Sequence, residues 1–97
     1  MERPGATIDG VRVICWSPID KRHAVSGSCR TTVDGVLKSP YAGLAIGQRA
    51  DDPGIYLFYC DEEWKPVTDT YHFGIDRAKE EAETEFRGVG ETWTEVA

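Results

Sequence analysis

The chain has 97 residues and a net charge of −6, with 40% hydrophobic and 29% charged residues. This length supports one hydrophobic core, so we expect a single domain over residues 1–97 with a flexible tail at 1–6. Its longest apolar runs have six and seven residues, whereas a membrane-spanning helix needs ~20. No signal-peptide pattern begins the sequence, so we expect a cytoplasmic protein with no membrane partner.

The charge is distributed unevenly between the two halves of the chain. Residues 1–49 contain seven Lys/Arg and four Asp/Glu, a net of +3, and residues 50–97 contain four and thirteen, a net of −9. The acidic half repels nucleic-acid phosphates, so we expect no nucleic-acid partner. This field favours a cationic partner or, as the commoner explanation of such a charge, keeps the protein in solution.

Two Asp-Gly pairs between β-branched residues predict two tight hairpins in the first half. Asp9-Gly10 and Asp34-Gly35 both suit a type I′ turn, which needs positive φ at its two central residues. The strand that follows the first pair is predicted over 11–16, and the small polar residues of 19–28 predict a loop. The arms of the second hairpin are predicted at 29–33 and 36–38.

Three further strands are predicted before the spacing of apolar residues becomes that of a helix. The segment 41–49 is rich in Gly and Ala, which on a strand often marks the close approach of another element. Residues 55–61 are apolar at both alternating sets of positions, which predicts a strand buried on both faces in the middle of a sheet. Turns at 51–54 and 62–66 separate these strands from a returning strand at 67–73.

A helix is predicted over 75–87, because Ile75, Ala78, Ala82 and Phe86 fall on one helical face. Gly88 stands where a C′ residue is expected. The opposite face is acidic, which predicts a solvent-facing surface; its residues are Glu80, Glu81, Glu83 and Glu85. We expect Trp93 to contact the core or to lie in a short final strand. The order of elements predicts an α+β fold, an antiparallel meander with one C-terminal helix on one face.

The most conspicuous polar cluster is the predicted hairpin tip Asp61-Glu62-Glu63-Trp64. It combines three acids with one aromatic side chain, and aromatic anchors often dominate the binding energy of an interface. It lacks the alternating acidic spacing of a calcium loop. We therefore expect a partner-binding surface for a basic protein, with a solvated turn as the plainer alternative, and no catalytic residue, metal or cofactor.

Two chemical alternatives use the cysteines and histidines. Cys60, His72 and Asp69 supply the residue types of a thiol nucleophile system, so a small-ligand-binding or enzymatic domain is an alternative function. A zinc site would need Cys15, Cys29 and Cys60 with His23 or His72. Their separations of 14 and 31 residues lack the close ligand pairs of structural zinc sites.

A homodimer is a third alternative. The strand at 55–61 has two apolar faces, and the one predicted helix covers only one of them. Tyr56, Phe58 and Cys60 would then lie on a face that a second copy could bury, unless the N-terminal hairpins fold over it.

The segment 54–64, followed by Thr68-Asp69-Thr70 and the Ala- and Glu-rich helix, resembles small uncharacterised bacterial α+β proteins. Its layout also loosely resembles immunity proteins that neutralise secreted bacterial toxins. The resemblance covers residues 41–93 and contains no catalytic signature. It implies an α+β bacterial protein and offers an immunity-like role as one candidate function, and it transfers no functional residue.

Overall fold

The computed structural model describes residues 3–20, 24–25, 31–33, 36–38 and 41–96. The helix α1 spans Ile75–Glu85, and a 3₁₀ turn spans Val89–Glu91. The strands are β1 Thr7–Ile8, β2 Val11–Pro18, β3 Ala24–Val25, β4 Thr31–Val33, β5 Val36–Lys38, β6 Gly43–Gln48, β7 Ile55–Cys60, β8 Pro66–His72, β9 Phe86–Arg87 and β10 Thr94–Glu95. In the described part of the chain, no helix has the length and apolarity to cross a membrane.

The main sheet is antiparallel throughout, in the order β1-β2-β6-β7-β8, with α1 packed on one face. The short β10 pairs with β2 on the same edge as β1. Two small ladders lie outside this sheet, β3 with β9 and β4 with β5. The predicted α+β fold with an antiparallel sheet and a C-terminal helix is confirmed, and β7 is an interior strand between β6 and the edge strand β8.

The first predicted hairpin turn is confirmed by its backbone. Asp9 has φ 49° and Gly10 has φ 77°, the two positive values that a type I′ turn requires. The predicted second turn at Asp34-Gly35 lies outside the described residues, although β4 and β5 pair antiparallel on either side of it. Within the predicted tail 1–6, Pro4 is buried and the Ala6 carbonyl accepts a hydrogen bond from the Val13 amide at 3.0 Å.

The face of the sheet under α1 carries the larger core. Alternate residues of three adjacent strands point toward the helix, and Leu44, Leu57 and Tyr59 among them are almost completely buried. The helix contributes Ala78 and Ala82, whose short side chains bring its backbone close to the sheet. Phe86 fills the space at the end of α1, with its ring centroid 6.3 Å from that of Tyr59 and 6.4 Å from that of Tyr41.

The opposite face is also covered, which corrects the expectation of an exposed apolar face. Phe58 and Cys60 are 4% and 0% exposed. The first hairpin brings Ile8, Val11 and Val13 over this face, and half-buried aromatic rings close the rest. The sheet curls so far that the first hairpin comes close to β8. A groove of about 160 Å³ separates them, with Asp9 and Val11 on one side and residues 66–69 on the other.

The end of the helix differs from the predicted one. Phe86 has φ −134° and pairs with Val25 in the β3–β9 ladder, so the helix stops at Glu85 and not at 87. The prediction of Gly88 as the C′ residue is wrong, because the helix ends three residues earlier; Gly88, with φ 100°, instead begins the 3₁₀ turn. Glu83 does not simply face solvent. Its carboxylate accepts hydrogen bonds from the amides of Gly88 at 2.6 Å and Gly90 at 3.0 Å.

The replacement Phe86→Ala should destabilise the fold strongly. The side chain is fully buried, and removal of a buried Phe typically costs about 3–5 kcal/mol, a large part of the ~5–15 kcal/mol that stabilises a domain. Chemical denaturation followed by circular dichroism measures the loss. Glu80→Ala, on an exposed part of the same helix, is the control and should shift stability by less than about 0.5 kcal/mol. Equal shifts for the two variants would contradict this packing.

Glu83→Ala should cost about 1–2 kcal/mol, because it removes two charge-assisted hydrogen bonds to backbone amides. Glu83→Gln should fall between the wild type and Glu83→Ala, since a neutral amide has only one acceptor oxygen for the two amides. Urea midpoints of both variants, compared with Glu80→Ala, test the role of the carboxylate. A Glu83→Ala midpoint equal to that of Glu80→Ala would show that Glu83 only faces solvent.

Candidate functional site

The predicted partner-binding tip is a tight turn between β7 and β8. Asp61 organises it, because its Oδ1 accepts hydrogen bonds from the amides of Glu63 and Lys65, both at 2.9 Å. The Asp61 carbonyl also accepts from the Trp64 amide at 3.1 Å, and the Asp61 amide donates to the Lys65 carbonyl at 3.0 Å. The backbone of the tip is therefore held at four points by one residue.

Trp64 fixes this turn to the sheet. It has φ 63°, a value that is uncommon for a bulky residue, and its ring is half-buried against Gly43 and Trp16. The Trp16 and Trp64 centroids lie 5.6 Å apart with an interplanar angle of 82°, an edge-to-face pair. A Cβ at Gly43 would lie 2.6 Å from Cη2 of Trp64. The prediction of a close approach along 41–49 is thus met by this indole ring.

The acidic side chains lie at the mouth of two open grooves. Glu62 and Glu63 are exposed, whereas Asp61 is half-buried by its turn contacts. One groove, of about 610 Å³, is lined by all three acids together with Ile19, Tyr41, Ala42 and Lys65. The second, of about 830 Å³, shares Ile19, Ala42 and Glu62 with the first and extends to Trp16, Pro18, Asp20, Thr92 and Thr94. The tip thus combines exposed carboxylates on a hydrogen-bonded backbone with partly apolar walls.

Sequence reasoning missed the residues that form these walls. Ile19 is the first residue of the predicted loop 19–28, but its amide donates to the Ala42 carbonyl at 2.8 Å. The Ala42 amide in turn donates to the Cys60 carbonyl at 2.8 Å. These bonds extend the β2–β6–β7 ladder to the tip and bring Ile19 beside Tyr41. No local pattern signals this, because the pairing of β2 with β6 joins segments 25 or more residues apart.

The structure does not bring together Cys60, His72 and Asp69. His72 lies opposite Ile55 at one end of the β7–β8 pair, and Cys60 lies at the other end, five residues or about 17 Å along the strand. An odd separation also places the side chains of Ile55 and Cys60 on opposite faces. Asp69 lies opposite Phe58 and is exposed. The thiol of Cys60 therefore has neither predicted neighbour as a base.

His72 belongs instead to a polar group beside the helix. Its Nε2 is 2.7 Å from Oγ1 of Thr70, and on the same side of the sheet the hydroxyl of Tyr59 donates to Oε2 of Glu85. Burial, followed by the Glu85 hydrogen bond, raises the pKa of Tyr59 far above its ordinary range. The Tyr59 hydroxyl therefore stays protonated and joins the sheet to the helix.

The described residues contain no group of three or more His, Cys, Asp and Glu side chains placed to hold a metal ion. Cys15 and Cys60, two of the considered zinc ligands, lie in the cores on opposite sides of the sheet. Cys29 and His23, the other two candidates, lie outside the described residues.

Comparisons with protein-family models, with curated proteins and with solved structures find no match for this chain.

Cys60 should react very slowly with iodoacetamide in the folded protein. Burial, with smaller contributions from Asp61 and Asp9, raises its pKa to about 12, so almost no thiolate is present at neutral pH. Peptide-resolved mass spectrometry after timed labelling at pH 7 measures this site separately from the other cysteines. Labelling in denaturant is the control and should reach the rate of free cysteine. A native rate equal to that of free cysteine would restore the thiol alternative.

Proposed function

We propose that this chain is a non-catalytic protein-binding domain that takes a basic partner on the tip Asp61–Trp64. The observation that carries the proposal is the preorganised turn, in which one carboxylate accepts two backbone amides and one indole packs against the sheet. Rigid elements lose little conformational entropy on binding, so their contacts contribute more fully to affinity. Glu62 and Glu63 are then available to a partner without a cost of ordering the turn.

The chemistry of the surrounding surface indicates which side chains the tip would accept. Lys and Arg have apolar stems and charged ends, and the groove beside Glu62 and Glu63 has apolar wall atoms from Ile19 and Tyr41. A basic side chain could place its stem along that wall and its charge at the rim. The net charge of −9 over residues 50–97 would speed the encounter with such a partner.

The biological role that we propose for this binding domain is that of an immunity-type protein. Its support is the loose resemblance in layout of residues 41–93 to toxin-neutralising proteins, together with an acidic surface suited to basic proteins. Trp64 has a different part in this proposal from that expected from the sequence. Its ring packs toward Gly43 and Trp16, so it stabilises the acidic tip and offers only its exposed part to a partner.

The test is a charge reversal with a matched control. Affinity purification from the native host compares the wild type with Glu62→Lys/Glu63→Lys and with Asp76→Lys/Glu80→Lys, which makes the same change in net charge on the exposed helix. The tip variant should lose its basic partner at least tenfold, and the helix variant should retain it. Recovery should also fall as salt rises from about 50 to 300 mM, because exposed charges are screened.

Two results would overturn the proposal. Equal recovery with both double variants would show that the tip is not the binding surface. Recovery of no basic protein by the wild type, with no protection against a co-encoded toxin on co-expression, would remove both the partner and the immunity-type role.

A further inference from the structure

We infer that β8 pairs with β8 of a second copy of this chain, in an antiparallel register centred on Thr70. This surface is separate from the tip, and it differs from the apolar face that the sequence led us to expect in a dimer. That face is closed by the first hairpin. The outer edge of β8 has no strand paired to it among the described residues, and at residues 66–69 it borders the groove that Asp9 and Val11 also line.

All the large hydrophobic side chains that are exposed among the described residues lie on or directly after β8. Val67 is 60% exposed, Tyr71 44% and Phe73 88%. The rings of Tyr71 and Phe73 pack edge to face with centroids 5.8 Å apart, and Val67 is the extra residue of the bulge opposite Tyr59 and Cys60. β7 pairs with one side of β8, and no described strand pairs with the other. An exposed apolar edge of this kind favours pairing with another strand.

Only one end of this edge is protected against such pairing. Pro66 begins the strand and lacks an amide hydrogen, and the register shifts between Tyr59 and Cys60 at the same end of the ladder. Prolines, bulges and charges are the usual protection of edge strands. From residue 68 to 73 the edge has no proline and no lysine, and Asp69 is its one acidic residue; this stretch exposes Tyr71 and Phe73.

The second copy fits this edge because the strand is complementary to itself. With Thr70 opposite Thr70, Val67 lies opposite Phe73 of the second copy, and Asp69 lies opposite Tyr71. The two-fold axis creates this apolar contact twice, because Val67 of each copy lies against Phe73 of the other. A register centred on Asp69 would place two carboxylates face to face, and one centred on Tyr71 would leave Val67 beyond the paired strand.

Charge also favours a second copy at this edge. The chain carries −6, but the segment 65–74 contains one Lys and one Asp and is neutral. Two acidic molecules therefore meet here without the repulsion that other surfaces would produce. A single strand edge buries less than the ~1,200 Å² of a standard interface, so we expect a dissociation constant on the order of 10–100 μM.

Sedimentation equilibrium tests the association. The wild-type mass should rise from the monomer value of 10.8 kDa toward twice that value between about 1 and 500 μM, a range that brackets the expected constant. Val67→Lys should remain monomeric throughout, since edge lysines oppose strand pairing. Ala50→Lys, with the same change in charge at an exposed turn, should dimerise like the wild type.

A cysteine pair tests the register. Directly opposite Cα atoms in an antiparallel ladder lie about 4.5–5.5 Å apart, within the range that a disulfide spans. In a chain carrying Cys29→Ser, Thr70→Cys should therefore oxidise to a covalent dimer. Thr68→Cys is the control, because its two copies would lie about 14 Å apart along the strands and should stay monomeric.

The outcomes separate this inference from the proposed function. A wild-type mass that stays at the monomer value up to 500 μM overturns the dimer and leaves the tip proposal standing. Equal crosslinking of Thr70→Cys and Thr68→Cys overturns the Thr70 register. Dimerisation that Val67→Lys leaves unchanged places the contact elsewhere and overturns the role of β8. A tip charge reversal that leaves the dimer intact while abolishing partner recovery supports both.

Discussion

The burial of β7 on both of its faces is the constraint on which the rest of this structure depends. Ile55, Leu57 and Tyr59 point into the core under the helix, and Phe58 and Cys60 point into the core on the opposite side. A strand buried twice requires two covers, and among the described residues α1 is the one long helix that supplies a cover. The curl of the sheet and the hairpins at its ends supply the other.

This requirement explains why the candidate binding tip is rigid. The turn after β7 closes one end of the second core, because the Trp64 ring packs over Gly43 and beside Trp16. The hydrogen bonds of Asp61 then hold the backbone that carries Glu62 and Glu63. The half of the turn that faces the sheet stabilises the fold, and the half that faces outward presents charge. β8, the last strand of this sheet, has no described strand beyond it, so its apolar residues lie exposed at an edge.

Much of the fold could be predicted from local chemistry. Asp9-Gly10 specifies its turn because few other residues accept positive φ at both positions. The spacing of Ile75, Ala78 and Ala82 identifies the buried face of the helix because the helical period is 3.6 residues. Glu83 shows the limit of this reasoning. A periodic pattern assigns it to the outer face, but its long side chain reaches back to the amides of Gly88 and Gly90.

By itself the sequence determined the two-sided burial of β7, the helix and its inner face, the first hairpin and the acidity of the tip. Each of these depends on residues near one another in the chain. Only the tertiary structure decided that Trp64 packs inward, that Ile19 and Tyr41 border the acids, that Cys60 and His72 lie far apart, and that β8 is an edge strand. These arrangements follow from strand order and register, which come from the packing of distant segments and leave no periodic trace in the local sequence.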